Sequence, residues 1–379
     1  MPKILLKNTN VVLPDEKAEN VSVLIEDGMI ADISDKGKSL TESFDLSNLT
    51  LFAGFIDVHI HGAVGIDTNQ ASGEGLRKMA KFLASQGTTA WLPTLVPDLD
   101  ENYQKSIEAI EQLMLFQKDE PIARALGVHY EGVFANEKMC GALRPQFFKT
   151  FKNEDEIESL PKLKNGIHFT TLAPEVTGGI KLIKELRKQN WIVSIGHTKA
   201  DLETLEKAKE AGAKHLTHFF NAMTGLHHRD LGVVGWGLSD DEITFDFIAD
   251  GVHVNPQVLK IAAKVKTTEK VSLISDAVLP TGLGDGDFEI WGGKISVVNG
   301  KTQNERGSIA GSVITMLDAV RQMLSLGFSE VEVSKMASMN PAKLLGIEKD
   351  FGSIEFGKRA DLVALDKQGN VKLVLIGGN

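Results

Sequence analysis

Between residues 53 and 350, eight short apolar runs alternate with segments of helical periodicity, and no other feature restricts the fold as much. The runs are "GFIDVHIHG", "TTAWLPTL", "ARALGVHYEG", "HFTTLAPE", "WIVSIGHT", "HLTHFFNAM", "TFDFIADGVH" and "VSLISDA". Residues 74–86 set Leu76, Met79, Ala80 and Leu83 on one helix face, and Gly87 follows as a stop. "LETLEKAKEAG" ends in the same way at Gly212, and Asn255-Pro256 reads as an N-cap with proline in the first turn. This alternation predicts an α/β fold, a (β/α)8 TIM-like barrel over residues 53–350. A doubly wound open sheet is the competing architecture.

The chain ends read differently. Residues 1–52 hold "ILLKNTNVVL", "VSVLIE" and "MIADIS", with Asp27-Gly28 as a hairpin signal between the last two. Residues 351–379 resemble them, with "ADLVALD", a turn at Gln368-Gly369-Asn370, then "VKLVLIGG". Neither piece is large enough to stand alone. The expectation is one small β-sandwich domain formed from residues 1–52 and 351–379.

The formal charge of −10, with no long basic run, argues against a nucleic-acid or membrane partner. A small anionic ligand needs only a local cationic pocket. The single cysteine, Cys140, suits a reducing compartment; the N-terminal "MPKILLKNTN" has only three apolar residues in a row, too short for a signal-peptide core, and no apolar run approaches a membrane span. A soluble cytoplasmic protein is expected.

In an α/β barrel, catalytic groups sit at the C-terminal ends of strands. Here those ends carry His59 and His61, His129 and Glu131, His197, His215 and His218, Asp250 and His253, and Asp276. His59 and His61 share one face of an extended strand, because side chains alternate with period two. His129 reads as a core neighbour of Glu131. His215 and His218 face opposite ways in a strand, and His218 is the one expected at the site. Asp250 reads equally well as a turn former. Histidines and carboxylates from different strands make an open site for Zn²⁺ or a similar first-row ion, and one cysteine excludes a Cys₄ zinc site. Such an ion activates water and polarises a carbonyl. Asp276, on the last strand, is placed to act as general base and then acid. The chemistry expected is metal-assisted hydrolysis of an amide-like bond.

In order along the chain, "GFIDVHIHG", "HYEGVF", "SIGHT", "THFFNAMTGLHHRD", "IADGVHVNP", "LISDA" and "IAGSVITM" resemble the N-acetylglucosamine-6-phosphate deacetylase family of the amidohydrolase superfamily. The single HxH is common across that superfamily; "THFFNAM" followed by "ADGVH" is specific. The resemblance implies deacetylation of N-acetylglucosamine-6-phosphate to glucosamine-6-phosphate and acetate, in amino-sugar catabolism. It implies Glu131, His197 and His218 as primary metal ligands, His59 and His61 at a second site where that is filled, and Asp276 as base and acid. Zinc or iron, one or two ions per subunit, would be the cofactor. Asn221, Ala222 and Arg229 would meet the sugar phosphate, His253 the sugar, and Ala142 the substrate. Arginine suits phosphate because its fork binds two oxygens. In relatives that arginine can come from the neighbouring subunit, which implies a homodimer.

Two positions depart from the family pattern. "EGVF" puts Val133 where proline is common, and "CGALRP" puts Leu143 where many relatives have a histidine that helps polarise the acetyl carbonyl. Either a second ion at His59 and His61 takes that role, or the substrate is shifted, for example to N-acetylgalactosamine-6-phosphate or another N-acyl sugar phosphate. Two rivals remain. Another amidohydrolase reaction would need no phosphate clamp, and a dead barrel used as a scaffold would be expected to have lost ligands.

Overall fold

The computed structural model describes residues 3–34, 42–153, 157 and 160–379. Residues 1–2 and 35–41 of the expected N-terminal segment lie outside the described residues.

Eight strands build the barrel: β1 (Phe55–Ile60), β2 (Thr88–Leu95), β3 (Gly127–Glu131), β4 (Ile167–Leu172), β5 (Ile192–Ile195), β6 (His215–Leu216), β7 (Thr244–Ile248) and β8 (Val271–Ile274). They pair in parallel and in sequence order from β1 to β8. A parallel bridge between Ile60 and Ala277 brings β8 back to β1, with Asp276 N–H donating to His59 O at 2.9 Å. The barrel is thus nearly closed, and the open sheet is set aside. Both faces of such strands are covered, so they read as continuous apolar runs; all eight residues of β2 are buried.

The three helical segments singled out in the sequence are all present. Helix α1 (Gly73–Ser85) buries Leu76, Met79, Ala80 and Leu83, and its Ser72 cap accepts from Gly75 N–H. Helix α2 (Asp100–Phe116) follows β2, and α3 (Gly179–Lys188) follows β4. Asp201 caps α4 (Leu202–Glu210). Helix α5 (Gly232–Ser239) comes next, and Asn255 caps α6 (Pro256–Lys266), which carries Pro256 in its first turn. Ile56, Val58, Ala90, Leu92, Phe169, Ile248 and Ile274, from five strands, form the packed barrel interior.

Three local results differ from simple expectation. Pairing of β1 with β2 is irregular between Asp57 and Ile60, which breaks strict alternation around His59. Strand β6 is two residues long, because His218 N–H bonds the Asp246 carboxylate of β7 instead of a ladder partner. Third, an antiparallel sheet of Gly286–Ile290, Gly293–Val298 and Lys301–Asn304 follows β8. Its own small core joins Val278, Ile290, Ile295 and Ala310.

The chain ends meet in one seven-stranded sheet. Val371–Leu375 pairs Leu362–Leu365, which pairs Thr50–Ala53; that strand in turn pairs Lys3–Val12. A separate cluster including Leu6, Val11, Val23, Leu51, Leu362 and Ala364 forms its core. Among the described residues no helix is long and apolar enough to cross a membrane.

Candidate metal centre and active site

Six side chains from the mouths of β1, β3, β5, β6 and β8 converge in two buried triads: His59, His61 and Asp276, and Glu131, His197 and His218. Glu131 Oε1 lies 3.0 Å from His197 Nε2 and 3.1 Å from His218 Nε2. Its Oε2 lies 3.3 Å from His61 Nε2, so this one carboxylate stands between the triads. Asp276 Oδ1 is 3.3 Å from His61 Nε2 and 3.5 Å from His59 Nε2.

The backbone is bent to deliver these groups. His197, His218 and Asp276 all have positive φ, at 47°, 36° and 48°. Non-glycine residues avoid this region, at a cost of roughly 1–3 kcal/mol each, and such strain gathers at functional sites. The rings are also oriented from behind. His197 Nδ1 bonds Met139 O at 2.7 Å, and His61 Nδ1 bonds Thr94 O at 3.2 Å. Those bonds leave Nε2 for the centre. His129 does not join the cluster; it bonds Val58 O and Thr171, and its ring meets His59 edge-on. Burial, then the neighbouring His59, holds it well below its ordinary value, so it is neutral. His215 bonds Asp246, which in turn holds His218 N–H.

Two imidazole nitrogens 3.0 Å apart in His59 and His61, and two 3.1 Å apart in His197 and His218, face shared carboxylate oxygens. Nitrogen and oxygen donors gathered in this way, without thiolate, fit a zinc- or iron-type ion. Burial lowers the His61 and His218 pKa values, but the hydrogen bonds and charges of Glu131 and Asp276 outweigh it. The results are about 10 for His61 and about 9 for His218. At neutral pH these rings hold protons that a cation must displace. Zn²⁺ affinity measured by chelator competition at pH 6, 7 and 8 is therefore expected to rise roughly tenfold or more per pH unit, one factor of ten for each proton released. A flat profile would contradict the protonation described.

The cluster opens into a cavity of about 160 Å³. Ala142, Asn221, Ala222 and His253 line it together with His61, Glu131, His197, His218 and Asp276. Asp250 turns out to be both turn former and orienter: it accepts from Val252 and His253 N–H and holds His253 Nδ1 at 2.6 Å. Arg229 is not brought to the cavity. It is exposed on the loop after β6, between exposed Leu226 and Leu231. Sequence reasoning missed Ile248, Ile309, Gly311 and Trp291, which also form the wall. The signal for Trp291 was "EIWGGKI", a hairpin turn with an aromatic residue in it.

The amidohydrolase family model matches residues 50–379, and the chain belongs to that family. It is 35% identical to the N-acetylglucosamine-6-phosphate deacetylase of Bacillus subtilis, over 99% of this chain and 96% of that one. It is 34% identical to the N-acetylgalactosamine-6-phosphate deacetylase of Escherichia coli O157:H7, over 93% of each. The crystal structure of N-acetylglucosamine-6-phosphate deacetylase from Pasteurella multocida superposes with a TM-score of 0.91 at 28% identity, covering 100% of this chain and 99% of that one.

Proposed function

We propose that this enzyme hydrolyses the N-acetyl group of N-acetylglucosamine-6-phosphate, giving glucosamine-6-phosphate and acetate. The observation that carries this is the pair of His/carboxylate triads at the barrel mouth, one of which contains Asp276. Full-length similarity to deacetylases supports it. Glu131, His197 and His218 would hold one divalent ion, zinc or iron, and His59 and His61 a second. Such an ion supplies Lewis-acid polarisation of the amide carbonyl and lowers the pKa of water.

Asp276 takes the proton of the attacking water and returns it to the departing amine. Burial pushes its carboxyl up, but the charge of His59 and the bond and charge of His61 outweigh this and hold it below the ordinary range. It therefore stands ready as the anion. Leu143, 3% exposed in the cavity wall, offers the carbonyl no hydrogen bond, so polarisation falls to the His59 and His61 side. His253, fixed by Asp250, faces the sugar, and the Asn221–Ala222 turn faces its phosphate arm.

The enzyme acts as a homodimer in which Arg229 of a second copy meets the phosphate; the exposed Leu226 and Leu231 beside it support a contact there. Arg229→Ala is expected to raise KM roughly 10- to 100-fold with kcat little changed. An unchanged KM would remove Arg229 from the phosphate site. Residues 1–52 with 351–379 form one domain and 53–350 the other, and the lone cysteine fits the cytoplasm.

The test is amine release from the gluco and galacto 6-phosphates by metal-quantified enzyme. Preference for the galacto epimer, which the Escherichia coli relative makes the second reading, would point to Val133 and Leu143 as specificity changes. Turnover of neither epimer with metal bound would overturn the assignment.

A further inference from the structure

Trp291 sits where the backbone does not favour it. Ile290 pairs with Gly293, leaving Trp291 and Gly292 as a two-residue hairpin loop, both with positive φ, at 54° and 75°. Such loops favour asparagine or aspartate followed by glycine. A bulky residue there goes against that preference, because its Cβ crowds the following carbonyl. It persists because the indole is used elsewhere. Its ring meets the His61 ring edge-on, with centroids 5.4 Å apart, and its Nε1 is buried without a partner. Arg144, on the loop after β3, donates to Trp291 O of the turn at 3.4 Å, and Arg306, just past the sheet's last strand, donates to Gly141 O of that loop at 3.1 Å.

Behind this wall lies a second cavity, of about 260 Å³, between the 142–146 loop and the hairpin. Among the described residues, only Ala142, Leu143 and Trp291 line both cavities. Trp291 is by far the largest of the three. The lining of the active cavity is of two chemical kinds: polar Asn221 and His253, suited to a sugar phosphate, and apolar Leu143, Trp291 and Ile309, suited to an acyl chain.

We propose that Trp291 is the back wall of the acyl pocket and sets the length of the N-acyl group that the enzyme accepts. This rests on the amide-hydrolysis reading above. In that reaction the water oxygen bonds to the acyl carbon, the C–N bond breaks and the amine takes the proton. An acetyl methyl fits in front of the indole, while a longer chain collides with it. Removing the indole joins the two cavities and gives the chain somewhere to go.

The experiment compares kcat/KM for N-butanoyl- and N-acetylglucosamine-6-phosphate in the metal-loaded enzyme. Two variants are used: Trp291→Gly, which suits the positive φ, and Trp291→Asn, which supplies the residue such turns favour. Two methylenes in an apolar pocket are enough to discriminate by tenfold or more. The butanoyl-to-acetyl ratio is therefore expected to rise at least roughly tenfold in both variants and to stay near wild type in Trp291→Phe. A ratio within about twofold of wild type in a folded, metal-loaded Gly or Asn variant overturns the proposal, since one missing methylene already exceeds that. Wild-type enzyme inactive on both acyl substrates would instead overturn the hydrolysis reading, and this proposal with it. Acetyl turnover with an unmoved ratio removes only the wall.

Discussion

Asp276→Asn is expected to reduce amine release from N-acetylglucosamine-6-phosphate by roughly 10²- to 10⁴-fold, the range that a positioned acid–base group contributes. Asparagine keeps the shape and tolerates positive φ, and Asp276 sits at 48°. The backbone bonds that Asp276 makes, N–H to His59 O and O from Ser312 N–H, do not depend on its side chain. Loss of activity with an unchanged unfolding midpoint is thus a statement about proton transfer. Near-wild-type turnover would require another base, and among the described residues Glu131 is the one other carboxylate on the cavity wall.

Glu131→Gln is expected to empty the proposed metal site of Glu131, His197 and His218 and lower activity by more than roughly 100-fold, since even outer contacts to a ligand are worth 10–100-fold. The reason is position as well as charge. Burial pushes the Glu131 carboxyl up, but His59, His197 and His218 around it hold it well below the usual carboxylate range. It is the anion on which both pairs of imidazoles converge. A neutral amide keeps one acceptor oxygen and adds an N–H₂ that faces the site as a donor. Metal content by elemental analysis, read beside kcat, tests this. Full metal content in the variant would move the ligand role elsewhere.

These two residues show how much of the site was legible in the chain. Each ends an apolar run in a barrel pattern, and barrels put their chemistry at strand ends. Alternation grouped His59 with His61 and His129 with Glu131, and it showed only that His215 and His218 face opposite ways. It was not enough for Arg229, which the fold leaves exposed and away from the cavity of its own chain. Nor did it single out Trp291, whose importance comes from a hairpin packing against a loop roughly 150 residues earlier, a separation that no local period encodes.

The alternation of strands and helices, the barrel, the union of the chain ends and the candidate metal donors could all be read from the chain alone. Each follows from hydrophobic period and side-chain chemistry, which are local properties. Strand pattern alone left the donors undivided; the family resemblance implied Glu131, His197 and His218 as one set, and tertiary packing puts Glu131 between that set and His59, His61 and Asp276. It also selects which histidines are held from behind by Met139 and Thr94 carbonyls, and which residues separate the active cavity from its neighbour. The reason is physical. A strand pattern says which face a side chain takes, but positive φ at His197, His218 and Asp276, and the slip in pairing around His59, redirect those side chains at the last residue. Such turns are imposed by contacts between distant segments, where closure of the barrel outweighs the local preference of the backbone.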